Sequence, residues 1–125
     1  MKEVTAAIIE LDNKILIAQR AGGQNQAGKW EFPGGKIERG ETPEACLKRE
    51  IKEEFDVNIE VGEKFGESIY KYQTGEIKLI AYKCTWISGK FILSVHSQIA
   101  WVYKFELDLY EFAPADLPFV EELKG

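Results

Sequence analysis

At 125 residues, 45% of them hydrophobic and 30% charged, the chain has the make-up of an ordinary soluble domain that can bury a core without disulfide or metal staples. Its net charge of −5 excludes a global basic field for gripping a nucleic acid polymer. No apolar stretch approaches transmembrane length, and the run within MKEVTAAIIEL is too short for a secretion signal, so no membrane partner is expected.

Val4 to Leu11 reads as a strand, turned by Asp12-Asn13 into a second strand, Ile15 to Ala18. Ala21 to Lys29 holds three Gly, two Gln and an Asn. It reads as a loop placed to act as a flexible lid. Trp30 to Phe32 is a short strand, and Gly34-Gly35 form the turn after Pro33. The next element is a helix from Pro43 to about Phe55, with Thr42 as N-cap, Pro43 at the first helical position and Glu44 in the first turn. Ser68 to Tyr72 and Lys78 to Ile87 read as strands of a meander turning near Thr74-Gly75, and Ser88-Gly89 turns the chain into Phe91 to Leu93. Ala100 to Phe105 is a further strand, followed by a polar helix or turn around Leu107 to Glu111 and a closing helix from Asp116 to Leu123. No linker, repeat or low-complexity tract interrupts the series. Strands mixed with two helices predict an α/β sandwich around a mixed sheet, in a single domain over residues 1–125.

The helix carries the chemistry. At about 100° per residue, Glu50, Glu53 and Glu54 share one face about 100° wide. Leu47, Ile51 and Phe55 form an apolar stripe beside it, which can dock on a sheet while the acidic face meets a cleft. Carboxylates packed this densely repel one another, and oxygen-only ligands suit Mg²⁺ or Mn²⁺ better than zinc. The competing reading is a solvated surface balanced by Lys48, Arg49 and Lys52, with Arg49 and Glu53 as an i,i+4 pair. Cys46 and Cys84 are not spaced as a metal pair and are expected to be reduced residues of a cytoplasmic protein.

The full spacing decides between these readings. Gly35, five residues, Glu41, seven residues, Arg49-Glu50-Ile51, one residue, Glu53-Glu54, two residues, Val57 matches at eight positions and resembles the signature of the Nudix hydrolases. One position departs: the family usually has Gly where this chain has Asp56. Asp tolerates the left-handed conformation expected there better than most residues, so a modest local stability cost is expected and the metal site is kept. Trp30 to Glu38 resembles the segment leading into the signature in the MutT-like branch, and Ala113 to Pro118 resembles its base-contacting segment. The resemblance implies a Nudix-like α/β/α sandwich and hydrolysis of a nucleoside triphosphate to monophosphate and pyrophosphate.

Within that resemblance, Glu50, Glu53 and Glu54 are the metal set, joined by the Gly34 carbonyl. Glu41 supports the site and Arg49 orients its carboxylates. Arg20 and Lys36 hold phosphates, and either Glu50 or Glu53 serves as base. Relatives often place a further Glu where this chain has Val95. His96, next to it, matches a position where the family often has His, which leaves a catalytic part open as the lesser reading; it is expected in a loop, where a His is most often simply exposed. Asp116 matches the position that presents Asn or Asp to the nucleobase; ionised, it would only accept hydrogen bonds, from a base amine or from the N7–H of 8-oxoguanine. Asp116 is equally suited to cap the last helix. Tyr82, Phe32, Phe112 and Trp30 are candidates to stack on the base, although aromatics at such places are more often core. The expected ligand is a small nucleotide with Mg²⁺ or Mn²⁺, acted on by a monomer. A hydrolase of ADP-ribose or another diphosphate is the runner-up, and a non-catalytic nucleotide sensor comes last, since every carboxylate of the signature is present.

Overall fold

The structure is a computed structural model that describes residues 1–23 and 26–125. Gln24 and Asn25 of the expected lid lie outside the described residues. The strands are β1 (Lys2–Leu11), β2 (Lys14–Arg20), β3 (Trp30–Glu31), β4 (Asn58–Tyr72), β5 (Gly75–Ser88) and β6 (His96–Tyr103). The helices are α1 (Pro43–Phe55) and α2 (Leu117–Lys124), with 3₁₀ turns at Lys104–Leu109 and Pro114–Asp116.

Asp12 and Asn13 both take positive φ, 52° and 65°, the geometry that lets a two-residue turn match the twist of its strands. The hairpin they close pairs only at Glu10 with Ile15 and Leu11 with Lys14. Beyond that the strands part. β1 pairs in parallel with β5, which pairs antiparallel with β4, while β2 takes β6 along its other edge. The chain from Trp30 to Ile37 fills the gap. β3 pairs with β2, then Ala7 N–H donates to the Pro33 carbonyl (2.7 Å), Thr5 N–H to Gly35 (2.8 Å) and Ile37 N–H to Glu3 (3.0 Å). The Gly34-Gly35 pair is thereby clamped against β1, inside the sheet rather than on a surface loop.

Period-two alternation sorts the strand residues onto two faces. Ala6, Ile8, Ile15, Ile17, Leu79 and Ala81 pack with Phe119, Val120 and Leu123 of α2. Ala7, Ile9, Leu16, Ala18, Ile80, Tyr82 and Cys84 pack with Leu47, Ile51 and Phe55 of α1. The result is the expected α/β/α arrangement around a six-stranded mixed sheet.

Helix α1 starts where expected. Thr42 Oγ1 accepts from Ala45 N–H at 3.1 Å and Pro43 opens the first turn. It ends at Asp56 in the left-handed region, φ 58° and ψ 36°. Elsewhere the boundaries move. β4 begins at Asn58 and not at Ser68; three register shifts against β5 break the alternation that would have revealed its first half. Past Ser88-Gly89, Ile92 N–H bonds to the Phe55 carbonyl at 2.9 Å, and Phe91 wedges against Phe55, Trp86 and Trp101. β6 begins at His96, four residues before the expected Ala100, and the chain turns into 3₁₀ geometry at Lys104. Asp116 does not cap α2: its side chain makes no capping bond there.

Candidate active site

The splayed β1–β2 pair opens a cavity of about 570 Å³, within the range usual for small-molecule sites. Arg20, Glu31, Gly34, Gly35 and Lys36 line it, as do Phe32, Tyr72, Ala115 and Asp116. Gly34 and Gly35 are required by close approach. A β-carbon on Gly34 would lie 2.0 Å from the Thr5 carbonyl oxygen, and one on Gly35 would lie 2.2 Å from the Glu50 carboxyl carbon. The glycine turn and the acidic face of α1 are thus in direct contact.

Arg49 organises that face. Its Nε and Nη2 donate to the two carboxyl oxygens of Glu41 (2.6 and 2.9 Å), and its Nη1 reaches Glu50 (3.0 Å) and Glu53 (3.2 Å). Nη2 also donates to the Lys36 carbonyl at 3.2 Å. The hydrogen bonds from Arg49 hold the Glu41 carboxyl down at about 2, with the Glu38 N–H adding to the effect. Glu41 in turn pushes the Arg49 guanidinium further up.

Glu54 lies deeper. Burial first, then a hydrogen bond with Glu50 and the negative charges of Glu31 and Glu50, push its carboxyl far above the usual range. Its Oε1 is buried without a hydrogen-bond partner among the described residues. His96 is not an exposed loop residue. It opens β6, its side chain is 3% exposed, and its Nε2 lies 2.8 Å from Glu31 Oε2. Glu31 also bonds Arg20 Nη1 at 2.8 Å. The Val95 side chain is exposed and apolar and offers no carboxylate.

Asp116 lies at the other end of the cavity, 5% exposed, with its Oδ1 accepting from Phe32 N–H at 3.0 Å. Burial, with Glu31 adding to it, raises its carboxyl well above the usual range. In its protonated form such a carboxyl both donates and accepts, whereas ionised it only accepts. Phe32 borders the cavity but, like Trp30 and Phe112, belongs to the α2-side core. Tyr82 is a correction. Strand parity turns it to the α1 face, among Leu47, Ile51 and Phe55, and it does not line the cavity. Glu31 was missed by the sequence reading. Its signal is Arg20: an acid three residues before Gly34 needs a cationic neighbour, and β2–β3 pairing supplies one.

The Nudix domain matches residues 1–124. The chain belongs to the Nudix hydrolase family. It is 40% identical over 121 residues to a CTP pyrophosphohydrolase of Escherichia coli (strain K12), covering 97% of this chain and 90% of that protein. It is 34% identical over 123 residues to a putative 8-oxo-dGTP diphosphatase 2 of Mycobacterium tuberculosis (strain ATCC 25618 / H37Rv), covering 96% and 86%. The solution structure of a MutT protein from methicillin-resistant Staphylococcus aureus 252 superposes with a TM-score of 0.79 at 41% identity, covering 99% of this chain and 97% of that one. The first two are named as hydrolases of phosphoanhydride bonds and the third as a Nudix hydrolase.

Nudix hydrolases generally use divalent metal ions. Among the described residues no three His, Cys, Asp or Glu side chains are gathered at metal distance, and Arg49 pairs with both Glu50 and Glu53. The residues nevertheless fit a hard cation. Two carboxyls, Glu50 and Glu54, meet at hydrogen-bond range, and the orphaned Glu54 Oε1 adds an unused oxygen. No described helix is long and apolar enough to cross a membrane.

Proposed function

We propose that the chain hydrolyses a (deoxy)nucleoside triphosphate to its monophosphate and pyrophosphate, with Mg²⁺ or alternatively Mn²⁺, clearing CTP-like or oxidised nucleotides from the pool. The observation that carries this is the sharing of one cavity by Arg20, Lys36 and the glycine turn beside Glu50 with Phe32 and Asp116. Phosphate-binding and base-binding groups are spaced along a single cleft. On this reading the chain is one domain over residues 1–125, a monomer and cytoplasmic.

Arg20 and Lys36 hold the phosphates, whose charges would otherwise repel an attacking water. Glu50, Glu53, Glu54 and the Gly34 carbonyl would hold the cation, which supplies charge neutralisation and a more acidic water. Arg49, braced by Glu41, sets the orientation of Glu50 and Glu53, and one of these two takes the proton of the attacking water. At the far end, Asp116 in its protonated form would suit a base edge with a donor beside an acceptor. Cytosine N4–H and N3 form such an edge, and so do N7–H and O6 of 8-oxoguanine. The names of the relatives point to the same two bases.

The test is pyrophosphate release from a panel of normal, oxidised and methylated triphosphates with Mg²⁺, using the unaltered protein and Glu53→Gln. Turnover of one or a few triphosphates, abolished in the variant, supports the reading. Two monophosphates from ADP-ribose, with no triphosphate turned over, would replace it with the diphosphate reading.

A further inference from the structure

We propose that Glu31 and His96 are positioning residues that tie Arg20 to the carboxylate face of α1, so that the phosphate grip and Glu54 are set as one unit. This rests on the reading of Arg20 as a phosphate-binding group. Glu31 spends its two oxygens on two partners, Arg20 Nη1 and His96 Nε2, each at 2.8 Å. A carboxylate held at both oxygens has one orientation, and an acceptor-only partner requires that Nε2 carry the hydrogen.

A β-bulge makes the contact. β2 pairs Gln19 with Gln98 and then Arg20 with His96, skipping Ser97. Ala100 and Val102 pack on the α2 side, so strict alternation through Gln98 would send His96 to that same side. The skipped residue reverses this. His96 instead stacks on Phe55 of α1, ring centroids 5.2 Å apart and planes 11° apart. Its remaining nitrogen, Nδ1, then faces Glu54 Oε1 at 3.9 Å, and both atoms are buried without a hydrogen-bond partner among the described residues. Packing against Phe55 alone would be served as well by Leu or Phe. An imidazole with one nitrogen on Glu31 and the other aimed at Glu54 is what a coupling element requires.

The experiment is a double-mutant cycle read by binding of an α,β-imido nucleoside triphosphate in the absence of divalent metal, and by KM and kcat with Mg²⁺. His96→Leu is expected to weaken binding of the analogue roughly tenfold and to raise KM more than it lowers kcat. Arg20→Ala should do the same. The double variant should be no worse than Arg20→Ala alone, because both changes remove one arrangement. His96→Gln, whose amide nitrogen can replace Nε2 toward Glu31, should restore most of the binding. His96 is the sole histidine, so its imidazole N–H signal in the NMR spectrum of the unliganded protein is unambiguous. A slowly exchanging Nε2–H signal lost in Glu31→Ala supports the pairing, and this readout holds even if His96→Leu fails to fold. Multiplicative losses in the cycle, unaltered binding by His96→Leu, or an Nε2–H signal that survives Glu31→Ala would each overturn the proposal. If the unaltered protein neither binds the analogue nor turns over any triphosphate, the functional reading itself fails and the positioning role falls with it. Turnover with an additive cycle removes the positioning role alone.

Discussion

Gly35 lies so close to Glu50 that a β-carbon on it would sit 2.2 Å from the Glu50 carboxyl carbon, whereas one on Gly34 would sit 2.0 Å from the Thr5 carbonyl oxygen. The two neighbours differ in what can yield. A carboxyl at the end of a flexible side chain can swing away, but a backbone carbonyl inside the sheet cannot. Gly34→Ala is therefore expected to lose about 3 kcal/mol of stability or more, and Gly35→Ala to stay folded with Glu50 displaced. Urea denaturation and Mg²⁺ titration of both variants separate the two effects. Equal destabilisation of both would refute the distinction.

Glu41 holds Arg49 at 2.6 and 2.9 Å, and on the proposed reading it acts through that residue. Glu41→Gln keeps the shape and removes the charge that fixes the guanidinium. The expected result is a fall in kcat of about 10–100-fold with little change in melting temperature, checked by steady-state kinetics beside calorimetry. Unchanged kcat would mean that Arg49 is oriented without it.

Asp116 gives the metal-free protein a pH signature. Its folded pKa is raised by burial, so the native state keeps a proton that the unfolded chain gives up near pH ~4. Wherever the native state binds more protons, stability falls as pH rises. The loss should set in above that point and run through the folded pKa. Asp116→Asn keeps an acceptor for Phe32 N–H and cannot ionise, so it should be more stable than the unaltered protein at neutral pH and flatter across the window. Melting temperatures at pH 4 and 7 decide it: parallel curves for the two proteins would contradict the buried carboxyl.

Tyr82 faces the α1 core and not the cavity. Tyr82→Ala should cost about 3–5 kcal/mol, as for a large aromatic removed from a core, while leaving the order of preference among triphosphates unchanged. A changed base preference would return Tyr82 to the nucleobase site.

Asp56 sits at φ 58° and ψ 36° after α1, where Gly is ordinarily found. Asp56→Gly is expected to stabilise the protein by about 0.5–1 kcal/mol, since the exposed Lys52–Asp56 ion pair it removes (3.0 Å) contributes little. Chemical denaturation would show the gain; a loss would mean that the ion pair or the Asp side chain does more than the geometry indicates.

Much of this site is legible in the sequence alone. Thr42, Pro43 and the stripe of Leu47, Ile51 and Phe55 fix α1 and its buried side, and the signature spacing places Glu41, Arg49, Glu50, Glu53 and Glu54. These are local quantities, set by helix period and capping. β4 was half-read because its bulges against β5 erase the alternation on which a strand reading depends. The burial of His96 is not legible for a related reason, since the skipped Ser97 breaks the parity that assigns it a face.

The sequence by itself determined the family, the helix with its acidic face, and the pair of glycines before it, because each depends on spacings along the chain. Only the tertiary structure decided that Glu31 joins Arg20 to His96, that Asp116 is buried against Phe32 N–H, and that Tyr82 belongs to the opposite core. Those facts depend on which strands pair and in what register, and one bulge or one residue of register reverses the face to which a side chain points.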